Sequence, residues 1–130
     1  MRSSFRDNAF VDPVGVATGA AVGAAARWSI GELVDTSGFP WATLIVNLVG
    51  CLAMGVASIR LHRGTASWSF AVTGLLGGFT TASTFGVETR QLLADDRLVA
   101  ALAYVLASLG GGVAAVGIVR RALTGSSVTG

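Results

Sequence analysis

Hydrophobic positions along this chain fall into four long blocks separated by short polar connections. The blocks run roughly Val14 to Ile30, Trp41 to Ile59, Trp68 to Phe85 and Leu98 to Val119, and no acidic residue lies inside any of them. Each is long enough to cross the hydrocarbon core of a bilayer as a helix, so the pattern predicts one all-α membrane domain with four transmembrane helices, about residues 14–30, 41–59, 68–85 and 98–119. The third block is the irregular one. It carries Gly77-Gly78 and then hydroxyls at Thr80, Thr81, Ser83 and Thr84. Glycine loses the most backbone entropy in a helix and threonine is stiff at its first side-chain torsion, so the third helix is expected to break near Gly77–Thr81. In a bilayer the freed backbone groups must be buried in protein or line a polar cavity, which makes residues 77–84 a candidate ion site.

Composition supports the membrane reading. Of 130 residues, 52% are hydrophobic and 12% charged, and 18 are glycine. With a mean hydropathy of +0.69, a soluble domain of this size could not hide its apolar surface. The first twelve residues are polar and mixed in charge, and no cleavage site precedes a soluble domain, so the first block is expected to be a retained helix. Cys51, the only cysteine, lies mid-span and excludes a disulfide framework; a small packing role is expected for it.

Charge then orients the chain. With four spans, Arg2, Arg6, Arg60, Arg63, Arg120 and Arg121 share one side, whereas the other carries Arg90 and Arg97 beside Glu32, Asp35, Glu88, Asp95 and Asp96. Six arginines against two predict cytoplasmic termini. The net charge of +2 therefore reports topology, and without a basic stripe or interleaved aromatics it does not point to nucleic acid.

Polar residues inside the blocks are the candidates for chemistry. Gly15, Gly19 and Gly23 recur at four-residue spacing and predict a helix-packing face. Arg27 beside Trp28 has two readings: an arginine reaching the interface, or a cation at the vestibule of an anion pathway. Thr43 and Asn47 share one helical face, where Asn47 is either interhelical glue or an amide donor facing an anion. His62 is expected to be solvated, and Glu88 to be interfacial or capping. Tyr104 and Ser108, again four apart, extend the set to a file of donors through an apolar bundle, which is how a protein replaces the hydration shell of a small ion. No catalytic constellation is present: the spans hold no paired carboxylates, His-Cys cluster, phosphate loop or Ser-His-Asp set. A proton-coupled multidrug exporter would need a carboxylate deep in the membrane, and Glu32 and Glu88 lie near segment ends.

These residues resemble the CrcB/Fluc family of fluoride channels. The resemblance is carried by Gly23-Ala24, Arg27-Trp28, Trp41 to Thr43, Val46-Asn47, Gly50, Gly74 to Glu88, Tyr104 and Ser108, and it covers essentially the whole chain. It implies passive fluoride export by an antiparallel dimer of four-helix subunits, with two narrow pores and one structural sodium ion. It further implies that backbone carbonyls of Gly77 and Thr80 hold the sodium, and that Asn47, Ser83, Thr84, Phe85, Tyr104 and Ser108 line or border the fluoride pores. Two positions depart from the family's pattern, Ala82 where a phenylalanine is usual and Gly112 where a serine is usual. Antiparallel homodimers must insert both ways and need balanced loops, so the arginine bias predicts a paralogous partner of opposite orientation rather than a second copy. The alternative carried with it is a non-conducting subunit that only supports its partner.

Overall fold

The structure, a computed structural model, describes residues 11–125; Arg2 and Arg6, counted above toward orientation, lie outside the described residues. Helix α1 is Pro13–Leu33 and α2 is Trp41–Arg60. Next comes α3, residues 66–79, a continuous rod of Ala66–Trp68, a wide π-helical stretch Ser69–Leu76, and Gly77–Phe79. Helix α4 is Ala82–Ala94 and α5 is Leu98–Gly125. No strand occurs among the described residues. The expected blocks are therefore helical apart from a break at Thr80 and Thr81; the second and fourth begin where expected, at Trp41 and Leu98, and the helices run on to Leu33, Arg60, Ala94 and Gly125.

The segments Trp41–Arg60, Ala66–Ala94 and Leu98–Gly125 are long and apolar enough to cross a membrane. Helix α1 has the length, 21 residues, but its glycine and alanine content and Arg27 leave it less apolar than the others. Its place is set by packing. Helix α1 lies along α3, and α2 lies along α5. Outward-facing side chains such as Val22, Leu106, Val113 and Ile118 are exposed, whereas Tyr104 and Val46 are the large side chains fully buried. Such apolar outer faces suit lipid or another subunit rather than water.

The α1–α3 contact is a reciprocal lock of small residues. A Cβ on Gly19 would come within 2.8 Å of the Leu75 nitrogen, and one on Gly23 within 2.8 Å of the Phe79 nitrogen. From the other side, a Cβ on Gly74 would stand 2.7 Å from the Val16 carbonyl oxygen, and one on Gly78 would overlap the Ala20 backbone. Gly15 takes no part; a Cβ there would meet only the Asp12 side chain. The expected stripe thus packs at two of its three positions, and its partner is the glycine pattern of the third block.

That contact corrects the expected cause of the break. Gly77 and Gly78 remain helical, and the chain leaves helical geometry at Thr80 and Thr81, whose ψ angles are 158° and 123°. Helix α3 tolerates Gly74 and Gly78 because they permit close backbone approach, a gain that outweighs their poor helix propensity. Beyond the break the helix continues to Ala94, past the Phe85 boundary expected for the third span.

The remaining connections are tightly capped. In the α1–α2 loop the Asp35 carboxylate accepts the Ser37 N–H at 2.8 Å, and that bond holds its carboxyl below the ordinary range. After α4, Asp96 adopts a left-handed φ of 57°. The Asp96 N–H then donates to the Leu93 carbonyl and the Arg97 N–H to the Leu92 carbonyl, a Schellman closure that turns the chain directly into α5. His62 is exposed, as expected.

Candidate functional site

The break is held open by side chains from the two preceding helices. Asn47 Nδ2 donates to the Thr81 carbonyl at 3.0 Å, and the Thr81 N–H donates to Asn47 Oδ1 at 2.9 Å. Arg27 Nη1 donates to the Thr80 carbonyl at 3.2 Å. Three backbone groups that would be orphaned in a bilayer are thereby satisfied by one amide and one guanidinium. The Thr81 side chain restarts the helix: its oxygen accepts the Thr84 N–H at 3.1 Å, and its hydroxyl donates to Thr84 Oγ1 at 3.0 Å. Threonine at this position is a good N-cap because its extended backbone lets the side-chain oxygen reach an orphan amide of the first turn.

Beside the break lies a cavity of about 380 Å³ whose walls include Asn47, Gly77, Thr80, Thr81, Ala82, Phe85 and Ser108. The Ser108 hydroxyl is buried without a hydrogen-bond partner, an arrangement that costs free energy unless something occupies the cavity. Cys51 lines the same wall. Its sulfur sits 3.1 Å from where a Cβ on Gly112 would stand, so it fills the space of the missing side chain as a packing residue.

The sequence-derived residues divide into three groups. Asn47, Gly77, Thr80, Phe85 and Ser108 meet at this cavity. Ser83 and Thr84 are exposed on the first turn of α4, with the Ser83 hydroxyl 3.3 Å from that of Thr81. Tyr104 sits elsewhere. Fully buried, it packs on Phe85 at 5.1 Å between ring centroids and donates its hydroxyl to Glu88 Oε2 at 2.7 Å.

Glu88 adds a contact that its place near a segment end does not signal: the half-buried carboxylate takes the Tyr104 hydroxyl on one oxygen and the Thr43 hydroxyl on the other, at 2.9 Å. Thr43, Glu88 and Tyr104 come from three different helices, so no spacing along the chain signals the cluster. Its chemistry is plain: two hydroxyl donors converge on one anion. Truncating Glu88 to alanine should strand the buried Tyr104 hydroxyl and cost about 1–3 kcal/mol. The expected result is a lower thermal midpoint in detergent, while Tyr104→Phe added to that variant should cost little more.

Arg27 is half-buried and points at the break, where its guanidinium donates to the Thr80 carbonyl. Helical spacing explains this, since Arg27 follows Gly23 by four residues and continues the face that packs on α3.

The fold and this site define a multi-pass α-helical membrane protein with a broken span beside a largely apolar cavity that carries a few polar groups. Comparison with known proteins makes the assignment closer. Residues 14–119 match the model of a family described as "CrcB-like protein, Camphor Resistance (CrcB)", and the chain belongs to that family. It is similar to a protein of Paracoccus denitrificans named fluoride-specific ion channel FluC, 47% identical over 78% of this chain and 85% of the relative. Proteins of the same name from Bordetella petrii, 46% identical over 76% of this chain and 80% of the relative, and Chloroflexus aurantiacus, 42% identical over 78% and 86%, are similar as well.

Proposed function

We propose that this chain is a fluoride-specific ion channel subunit that lets fluoride leave the cell passively. The observation that carries the reading is the unpartnered Ser108 hydroxyl in a cavity walled by the Asn47–Thr81 break and the Phe85 ring. A buried hydroxyl without an acceptor is a ready donor for a small anion. The Phe85 ring borders the same cavity, and the edge of an aromatic ring is electropositive and favours an anion over a cation. Relatives named as fluoride-specific channels support the same assignment, and they do not favour the non-conducting partner. The family is one of ion channels, not of enzymes.

The family's sodium ion has suitable donors here. The Thr81 N–H that would close a helical bond to the Gly77 carbonyl goes instead to Asn47. Gly77 is exposed, and a Cβ on it would meet nothing nearer than the Val72 carbonyl oxygen at 3.9 Å. Released carbonyls are hard oxygen ligands of the kind a sodium ion takes. Gly77 and Thr80 are the residues that would hold it, and the ion would neutralise their carbonyl dipoles. One chain presents two such carbonyls, so the site calls for a second subunit, consistent with an antiparallel dimer. The arginine bias of the loops favours a paralogous partner and cytoplasmic termini.

Fluoride efflux from liposomes containing the chain alone, and the chain with its nearest paralogue, tests the reading. Efflux from either preparation is expected, with chloride retained; failure of both would overturn it. Efflux only from the pair would identify the heterodimer, whereas full efflux from the chain alone would identify the homodimer and show that Ala82 is tolerated.

A further inference from the structure

Arg27 and Thr80 lie 53 residues apart, yet their hydrogen bond joins α1 to the break. Because Gly19, Gly23, Gly74 and Gly78 lock α1 against α3 at backbone contact, the Arg27 backbone is held close to the break. A carbonyl oxygen has two lone pairs, and here one of them receives a donor that carries a full positive charge. Any cation held by the same carbonyl must approach the other lone pair against that charge.

We propose that Arg27 is a positioning residue for the cation at the break: it aims the Thr80 carbonyl and, by its charge, sets how tightly that carbonyl holds sodium. The inference rests on the sodium reading above. Two opposing effects follow. Fixing the carbonyl lowers the cost of ordering the site, whereas placing a like charge a few ångströms from the ion weakens binding. Repulsion at such separations in a partly buried site exceeds what one ordered carbonyl returns, so charge decides the sign.

The test is thermal unfolding of the purified protein in detergent against sodium concentration, with choline chloride holding ionic strength constant. Fluoride efflux is measured on the same preparations. A cation that binds only the folded state raises the midpoint as its concentration rises, so the half-effective concentration reads site affinity. In Arg27→Gln an amide donor remains and the charge is gone. Its half-effective sodium concentration should fall by at least about tenfold. Arg27→Lys keeps the charge and should stay within about twofold of the parent.

An unchanged or higher value for R27Q overturns the proposal, the latter showing a brace and nothing more. If R27Q gives no folded protein, R27K decides, because a tenfold shift with the charge retained refutes the role of charge. A parent protein insensitive to sodium but still passing fluoride overturns this inference and the sodium reading while the channel reading stands. Loss of both responses removes the channel reading too.

Discussion

Replacing Asn47 with alanine is expected to reduce fluoride efflux to the background of empty liposomes and to destabilise the protein by several kcal/mol. The Asn47 amide supplies both partners of the Thr81 peptide unit, its donor to the carbonyl at 3.0 Å and its acceptor to the N–H at 2.9 Å. Alanine leaves both backbone groups unpaired, at about 1–3 kcal/mol each. Lipid offers no replacement partner, so the break should close toward regular helix and withdraw Thr81 from the cavity wall. Asn47→Asp is the sharper variant. Its carboxylate can accept the Thr81 N–H but can only repel the Thr81 carbonyl, and it adds a negative charge to a cavity proposed to pass an anion. Efflux from N47A at the parental rate would show that the break does not depend on this amide.

The second large effect is expected at the α1–α3 lock. A methyl group on Gly78 overlaps the Ala20 backbone, and one on Gly74 stands 2.7 Å from the Val16 carbonyl oxygen. Backbone cannot rotate aside as a side chain can, so the helices must separate. Overpacking of this kind costs about 1–3 kcal/mol per site, and the separation also draws Arg27 away from Thr80. The double variant G74A/G78A should therefore lose folded protein in detergent, read as loss of a monodisperse chromatographic peak. Gly86 and Gly110 are the internal controls. A Cβ at either position meets nothing within 4 Å, so alanine there should be neutral or stabilise by about 0.5–1 kcal/mol through helix propensity. Equal damage at all four positions would refute the lock.

Several site residues could be picked out in the chain because a polar side chain inside an apolar block is conspicuous wherever it ends up. Asn47 and Ser108 stand out in this way, Phe85 enters only through the family resemblance, and all three border one cavity. Their roles were less legible. Asn47 suits either interhelical glue or an anion donor by sequence, and in the fold its amide binds Thr81 while the residue also walls the cavity. Glu88 follows the third block and is expected at the interface; its hydrogen bonds to Thr43 and Tyr104, on two other helices, are visible only in the fold. Ser83 and Thr84 share the hydroxyl-rich signal of Thr80 and Thr81, yet they lie on the exposed first turn of α4.

By itself the sequence determined the membrane class, the helical elements and their approximate ends, and which residues carry chemistry. Those properties follow from sums and spacings along the chain: apolar length against bilayer thickness, and polar atoms against an apolar background. Only the tertiary structure decided which residues of Gly77–Thr81 leave the helix, what each glycine does and which donors face which acceptors. Gly77-Gly78 looks the same in sequence whether it ends a helix or lets one approach another. The difference lies in Ala20, on a helix more than fifty residues earlier. Likewise, Thr80 and Thr81 leave the helix because Arg27 and Asn47 stand ready to take their backbone groups, and that pairing exists only once α1 and α2 are packed beside them.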